Sequence, residues 1–176
     1  MKNNNAGFSL LEVVIVVAMI TILAGSGLYG IGQLTGFRAR ETADEITSSL
    51  TQNKIETLGK AKSSGSMAWE LYKDGKYLYV RTVYDAGTGS EYYSNLTEVS
   101  KNDLAVFVGT KAQSELTQLG DGDSYRVYFN RSTGALCNSD GSVMDSNPVI
   151  QVRYGLKEYE VEVISKTGKV ISNSRR

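Results

Sequence analysis

A carboxylate stands in an otherwise apolar stretch near the start of the chain. Glu12 is followed by a run from Val13 to Phe37 that contains no charged residue. An acidic side chain at mid-bilayer depth costs about 2.5–3.5 kcal/mol even on a permissive insertion scale. An ionisable group in such a segment is therefore a candidate functional residue whose partner has to be identified.

A partner for this carboxylate arises if the chain is cut after Gly7. Cleavage between Gly7 and Phe8 creates a new α-ammonium at Phe8, four residues before Glu12. The two charges could neutralise each other between neighbouring copies of the chain, or within one helix at the i, i+4 spacing. Processing after Gly7 would therefore supply Glu12 with a partner of opposite charge.

The same segment fits two kinds of targeting sequence. In the first, Lys2, the apolar run Val13–Leu23 and the small residues Ala24-Gly25-Ser26 form a cleaved secretory signal. In the second, the cut precedes the apolar stretch, and residues 8–34 remain as a helix long enough to span a bilayer, which takes about 20 mostly apolar residues. Glu12 favours the second, because the apolar region of a secretory signal gains nothing from a carboxylate.

The order Gly7-Phe8-Ser9-Leu10-Leu11-Glu12 before an apolar run resembles the prepilin signature of type IV pilins and of the pseudopilins of type II secretion. The resemblance implies that a membrane peptidase cuts after Gly7 and that Phe8 becomes the N-methylated terminus. It also implies that Glu12 aligns the incoming subunit with the terminus of its neighbour during filament assembly.

The resemblance has further implications for location and partners. It implies a single-pass protein of the cytoplasmic membrane, with the N-terminus cytoplasmic and the C-terminal domain outside, which then enters an extracellular or periplasmic filament. The implied partners are prepilin peptidase, other pilin or pseudopilin subunits, the membrane and an assembly platform in it.

The chain departs from this family where many members carry a helix-kinking proline. Glycines occupy the corresponding stretch, at Gly25, Gly27, Gly30 and Gly32. Each interior glycine costs about 0.8–1 kcal/mol of helix propensity relative to alanine. We therefore expect the helix to be flexible there. The alternative is that small residues let membrane helices approach closely, since Gly32 and Gly36 have the GxxxG spacing.

Residues 35–62 are predicted to continue the helix in amphipathic form. Apolar residues recur there with helical spacing, while Glu41 and Glu45 lie opposite. The apolar positions are Ala39, Ala43, Ile46, Leu50 and Leu58. This face must be buried against the domain that follows.

From Ser66 onward the apolar period changes to two, which is typical of β-strands. Asp74-Gly75 lies between two such runs and predicts a hairpin. Asp85–Asn102 is predicted to be a loop, and Ala112–Leu119 a short helix. The predicted strands are Met67–Tyr72, Lys76–Tyr84, Leu104–Gly109, Tyr125–Asn130, Val149–Tyr154 and Tyr159–Ser165.

These elements predict an α+β protein with the pilin fold. A long N-terminal α-helix, transmembrane and then amphipathic, packs on a mostly antiparallel β-sheet domain. The predicted segments are a leader at residues 1–7, a hydrophobic transmembrane and assembly helix at 8–34, its amphipathic continuation at 35–62, and an extracytoplasmic β-rich domain at 63–176.

Three later stretches, KIETLGKAK, YRVYFNRSTG and YEVEVISKTGKV, resemble the GspH/FimT-like minor pilins and pseudopilins. This pattern concerns the globular body, whereas the N-terminal motif concerns the helix. It implies a minor subunit rather than a major one.

Composition argues against several other functions. The chain has no His, the commonest general base and metal ligand, and its one Cys, Cys137, forms no internal disulfide and is expected to be a buried thiol. We therefore expect no catalytic residues, no cofactor and no enzyme activity. Lys+Arg and Asp+Glu balance at 19 each, so no direct nucleic-acid partner is predicted. The oxygen-rich loops Gly120–Ser124 and 138–147 lack a calcium-binding spacing, and we assign them to turns without a metal.

We therefore predict a structural subunit, a minor pilin or pseudopilin, of a type IV pilus-like filament. One alternative is a pseudopilin of type II secretion or of a DNA-uptake (competence) machinery. Another is a membrane-tethered or secreted β-rich binding domain that never polymerises. A mature N-terminus at Phe8 supports the filament, whereas a start near Gly27 supports secretion.

Overall fold

A computed structural model of the chain describes residues 10–59 and 66–175, and the side chains of residues 25–35 and 66 lie outside that description. The chain divides into two compact units, Met1–Thr35 and Gly36–Arg176. The described elements are helix α1 (Leu10–Gly59) and strands β1 (Ser66–Asp74), β2 (Tyr77–Ala86), β3 (Tyr92–Tyr93), β4 (Thr97–Ser100), β5 (Ala105–Thr110), β6 (Thr117–Gln118), β7 (Ser124–Phe129), β8 (Leu136–Cys137), β9 (Pro148–Tyr154), β10 (Lys157–Ile164) and β11 (Lys169–Arg175).

The strands form two sheets. In the first sheet the order is β3-β2-β1-β7-β8, with β4 also paired to β2. In the second sheet the order is β11-β10-β9-β5-β6. Every strand pair in the described residues is antiparallel. An α+β architecture with an N-terminal helix and antiparallel sheets is thereby confirmed.

The part of α1 that belongs to the second unit packs with both sheets. Ala39, Ala43, Ile46 and Leu50 are fully buried and form one hydrophobic cluster with strand residues. The first sheet contributes Trp69, Leu71 and Val127, and the second contributes Val106, Ile150 and Val161. The predicted apolar face is therefore confirmed over these four helical positions.

The predicted face is wrong at Leu58, which is 43% exposed. Polar side chains, Asn53 and Thr57, occupy buried positions in the last two turns of the helix instead. Asn53 Nδ2 donates to Thr82 Oγ1 of β2 at 3.0 Å, and Thr57 Oγ1 donates to the Asn53 carbonyl at 2.8 Å. Because a hydrogen-bonded polar group can be buried at little cost, hydrophobicity alone does not locate the contact.

The predicted Asp74-Gly75 hairpin is confirmed, with Gly75 in the left-handed region at a φ of 56°. The loop predicted at Asp85–Asn102 contains two short strands, β3 and β4. The helix predicted at Ala112–Leu119 is wrong, since this segment forms a turn and β6. Gln113 Oε1 caps the preceding strand by accepting from Thr110 N at 2.9 Å, and this local bond favours a turn over a helix.

The predicted leader, residues 1–7, lies outside the described residues, and so do residues 8 and 9 of the predicted hydrophobic helix. Across the residues that the structure describes, no helix combines the length and the hydropathy needed to cross a membrane. The division of the chain at residues 34 and 62 stays a prediction.

Candidate functional site

The predicted processing site and the predicted assembly carboxylate differ in what the structure shows. Gly7 and Phe8 lie outside the described residues. Glu12 lies in the first turn of α1 and is exposed. A negative charge at this end of a helix is favourable because it faces the positive end of the helix dipole.

Large apolar side chains surround Glu12 on consecutive positions of the helix. Their exposed fractions run from 46% at Ile15 to 83% at Leu10. They are Leu10, Leu11, Val13, Val14, Ile15, Val16, Val17, Met19, Ile20, Ile22 and Leu23. A helix that is apolar on all sides is normally buried in lipid or among other helices. This segment therefore exposes an apolar surface of a kind that is normally buried.

Thr21 is a polar residue within this apolar surface, and its hydroxyl is satisfied within the helix. Thr21 Oγ1 donates to the carbonyl oxygens of Val17 and, at 3.2 Å, of Ala18. Glu12 by contrast carries the charge of the segment, because no other charged residue follows until Arg38. The assembly role of Glu12 stays a prediction.

Gly25, Gly27, Gly30 and Gly32 lie within the continuous span of α1. Flexibility at these glycines under assembly stays a prediction.

The first sheet carries a buried charge network that the sequence does not predict. Glu70 is 1% exposed and accepts from Arg126 Nε at 2.8 Å and from Arg81 Nε. Arg126 Nη1 also donates to Glu91 at 3.1 Å. Burial lowers the pKa of Arg126, but hydrogen bonds to Glu70 and Glu91 reverse that effect and raise it overall. The alternation in MAWELY places Glu70 on the face opposite Trp69, yet it gives no sign of the two arginines.

The second sheet has a similar arrangement around Glu162. Lys111 Nζ and Asn147 Nδ2 each donate to its carboxylate at 2.6 Å. The hydrogen bond from Lys111 holds the pKa of Glu162 below its ordinary value of 4.5, although burial opposes this. Both networks pair a buried carboxylate with basic side chains.

The remaining polar candidates have structural partners. Asp123 Oδ2 accepts from Gly120 N at 2.8 Å, and Asp140 Oδ1 accepts from Ser142 N at 2.8 Å, so these loop carboxylates close turns. Cys137 is buried, as predicted, and desolvation raises the pKa of its thiol. Across the described residues, no group of three or more His, Cys, Asp or Glu side chains is placed to hold a metal ion.

Comparison with known proteins places a motif on the N-terminal segment. Residues 2–28 match the prokaryotic N-terminal methylation motif, and the match includes Gly7, Phe8 and Glu12. It supports the resemblance to type IV pilins and pseudopilins. More particularly, it indicates a pilin-like subunit that prepilin peptidase processes. No curated protein and no solved structure matches the chain.

Proposed function

We propose that this protein is a minor pilin or pseudopilin, a structural subunit of a type IV pilus-like filament. The precursor is anchored in the cytoplasmic membrane by residues 8–34, cut after Gly7 and methylated at Phe8. The observation that carries the proposal is the coincidence of the methylation motif at residues 2–28 with the exposed apolar surface of Leu10–Leu23.

In the filament, the apolar surface is covered by the helices of neighbouring subunits instead of lipid. Burial of a large apolar side chain contributes about 1.5–3 kcal/mol, so this surface supplies the main driving force for packing. An unpaired Glu12 would be heavily penalised in such an interior, whereas a carboxylate paired with the Phe8 ammonium of a neighbour would not. The pair therefore favours one axial register between subunits.

The globular unit supports a minor subunit with a structural role. The stretch YRVYFNRSTG forms β7 and the turn after it, and YEVEVISKTGKV spans β10 and the start of β11. These are the stretches that resemble the GspH/FimT-like proteins. We further infer that the protein has no catalytic role, in keeping with the pairing of Glu70 and Glu162 to basic side chains.

Mass spectrometry of the mature N-terminus tests the processing step. The full chain is expressed with a prepilin peptidase and with an inactive form of that peptidase as the control. We expect a terminus at N-methyl-Phe8 only with the active enzyme. A mature chain that begins near Gly27 would show that residues 1–26 are a secretory signal and would overturn the proposal.

Substitution of Glu12 tests the assembly step. Glu12→Ala should leave cleavage and membrane insertion unchanged but reduce incorporation into filaments by at least tenfold. A tenfold loss corresponds to a change of about 1.4 kcal/mol in the free energy of assembly, which we expect from loss of the charge pair. Thr21→Ala is the matched control, since it removes a hydroxyl of the same segment that donates to carbonyl oxygens of its own helix. Incorporation of Glu12→Ala at the level of this control would contradict the role of Glu12.

A further inference from the structure

The turn between β9 and β10 exposes a leucine at its tip. Leu156 is 100% exposed, and the turn runs from Tyr154 through Gly155 to Lys157. A single exposed apolar residue on a protein surface is ordinary. The position of this turn and the residues beside it make it a candidate contact site.

The turn lies beside the first residues of the second unit. A Cβ added to Gly36 would lie 3.3 Å from Lys157 Cγ, so the lysine stem packs directly on the helix backbone. Arg38 Nη1 donates to Tyr154 Oη at 3.4 Å, and the Arg38 guanidinium lies 5.9 Å from the centre of the Tyr154 ring. These contacts fix the turn next to Gly36.

The other end of the second sheet lies at the other end of the helical segment. Lys54 Nζ donates to the Thr167 carbonyl at 2.8 Å, in the turn between β10 and β11. At 1.5 Å per residue, the helix rises about 27 Å between Gly36 and Lys54. The Leu156 turn and the Thr167 turn therefore lie at opposite ends of the second unit.

The residues around the Leu156 turn have the chemistry of a membrane interface. Leu156 and Phe37, which is 66% exposed, offer apolar groups, and Tyr154 offers an amphipathic ring. Arg38 and Lys157 add exposed cations. Tyrosine at the headgroup level, cations near lipid phosphates and inserted apolar side chains are the usual components of interfacial contacts.

Two acidic residues on these elements are paired with arginines. Glu158 Oε2 accepts from Arg153 Nη2 at 2.6 Å, and Arg175 lies 3.8 Å from the other oxygen of the same carboxylate. Asp44 pairs with Arg40 at 3.6 Å. Their charges therefore offset those of other arginines. Exposed Glu41 lies one helical turn after Arg38, in the same groove, and partly offsets its charge, so Lys157 is the main cation of this group.

We propose that the β9–β10 turn is a membrane-contact site of the anchored subunit. Leu156 enters the boundary between headgroups and acyl chains of the extracytoplasmic leaflet, and Lys157 and Arg38 contact the phosphates of anionic phospholipids. The inference rests on the proposed anchoring by residues 8–34, since this segment ends two residues before Gly36. The turn that packs on Gly36 is thereby held at the bilayer surface, where a tethered contact needs little affinity of its own.

Fluorescence quenching by lipids tests the contact in the full chain. Leu156→Cys, in a Cys137→Ala background, carries a bimane label in vesicles of phosphatidylethanolamine and phosphatidylglycerol. Val143→Cys is the matched control, because Val143 is also exposed but lies far from the Leu156 turn. Val143 forms a β-bridge with Cys137, and the N–H of the adjacent Leu136 donates to the Ser165 carbonyl, just beyond the far end of β10. Lipids brominated near the headgroup should quench the label at position 156 at least threefold more than the label at 143.

A label at Ile20, within the apolar segment, separates this inference from the proposed anchoring. Quenching at position 20 but not at 156 would overturn the contact site and leave the anchoring intact. No quenching at either position would overturn both. A label at 156 that becomes shielded only at high protein density would assign the turn to a second copy of the chain and also overturn the lipid contact.

Charge reversal tests the cationic part of the site. Lys157→Glu should reduce quenching at position 156 at least twofold in vesicles with phosphatidylglycerol, whereas Lys166→Glu, on the exposed turn near Thr167, should not. Added salt should weaken the difference, because it screens exposed charges. An equal effect of the two substitutions would remove Lys157 from the contact site.

Discussion

Glu70 shows how a buried carboxylate is accommodated in the β-rich unit. It lies opposite Arg81 on β2 and Arg126 on β7, so the antiparallel register brings both cations to it. The guanidinium of Arg81 in turn lies 4.0 Å from the centre of the Tyr93 ring, a cation–π contact. Burial of the carboxylate is therefore offset by two arginines and a ring contact.

Removal of the Glu70 charge should destabilise the second unit. Glu70→Gln leaves both arginines without the carboxylate, and we expect a loss of about 3 kcal/mol, the low end for breaking a buried pair, because the arginines keep some access to water. Asp44→Asn, which removes an exposed pair with Arg40, should cost less than about 1 kcal/mol. Urea unfolding of the full chain in detergent measures both. Equal losses would contradict the buried role of Glu70.

Glu162 predicts a dependence of stability on pH. Because its folded pKa is held below the ordinary 4.5, its pair with Lys111 stabilises the fold above pH 4.5, and this contribution is lost as the pH falls through the lower folded value. Glu162→Gln should therefore be less stable than the wild type at pH 7, and the difference should shrink below pH 4.5.

Two lysine variants check the origin of this pH dependence. Lys111→Gln should reproduce the shrinking difference, since the Lys111 hydrogen bond is the main cause of the lowered pKa of Glu162. Lys166→Gln, an exposed lysine on the β10–β11 turn, should not. Chemical unfolding at pH 7, 5, 4 and 3 measures the differences. A constant difference for Glu162→Gln over this range would disprove the assignment.

The residues of these networks could not be found from the sequence alone. Glu70, Arg81 and Arg126 come from three strands, and their meeting depends on the register of β1 with both β2 and β7. Glu12, in contrast, is conspicuous in the sequence, because its charge interrupts an apolar run and its spacing from Gly7 is local. Local patterns thus disclose the candidate assembly residue, whereas the charge networks depend on tertiary contacts.

At the scale of elements, two turns meet closely beside the end of α1. Gly168, in the β10–β11 turn, has a φ of 60°, and a Cβ placed there would lie 1.9 Å from the carbonyl oxygen of Gly134. Lys54 bonds to the Thr167 carbonyl at the same place. This contact joins the turn after β7, the closing hairpin and the helix, so it fixes the two sheets against the end of α1.

Gly168→Ala and Gly155→Ala form a matched pair that separates backbone strain from steric conflict. Both glycines have a φ of 60°, but a Cβ at Gly155 meets nothing within 4 Å. Gly155→Ala should cost about 1–2 kcal/mol from the left-handed conformation alone. Gly168→Ala should cost about 1–3 kcal/mol more, because it must also displace backbone atoms. Thermal and urea unfolding measure both, and similar losses would contradict the close contact of the two turns.

The elements themselves were predicted with uneven success, for physical reasons. Strands with apolar alternation and a clear turn, such as β1 and β2 around Asp74-Gly75, follow from local sequence. The short strands β3 and β4 each depend on pairing with β2, so their own amino-acid composition does not predict them. In the same way, Asn53 and Thr57 are buried only because β2 and the helix backbone supply their partners.

At the scale of the whole molecule, the hydrophobic core belongs to the second unit. Its buried helical members begin at Ala39, and the other members come from the strands and the segments that connect them. The exposed apolar residues Leu10–Leu23 belong to the first unit. One unit therefore has a core of its own, whereas the described apolar side chains of the other are exposed.

Truncation of the chain tests whether the second unit contains the whole hydrophobic core. Residues 36–176 should fold in water without detergent and unfold cooperatively, with a free energy of unfolding within about 1 kcal/mol of that of the full chain in detergent, because no member of the core is removed.

A shorter chain from residue 56 should not fold. It lacks Ile46 and Leu50, whose truncation to alanine would by itself cost about 2–5 kcal/mol each, and the total stability of a domain is only about 5–15 kcal/mol. It also lacks Ser49, which accepts the Trp69 indole hydrogen at 3.0 Å. Circular dichroism and Trp69 fluorescence during urea unfolding would distinguish the two chains. Two results would contradict the assignment of the helix to the core of the second unit: an unfolded chain of residues 36–176, or a folded chain that begins at residue 56.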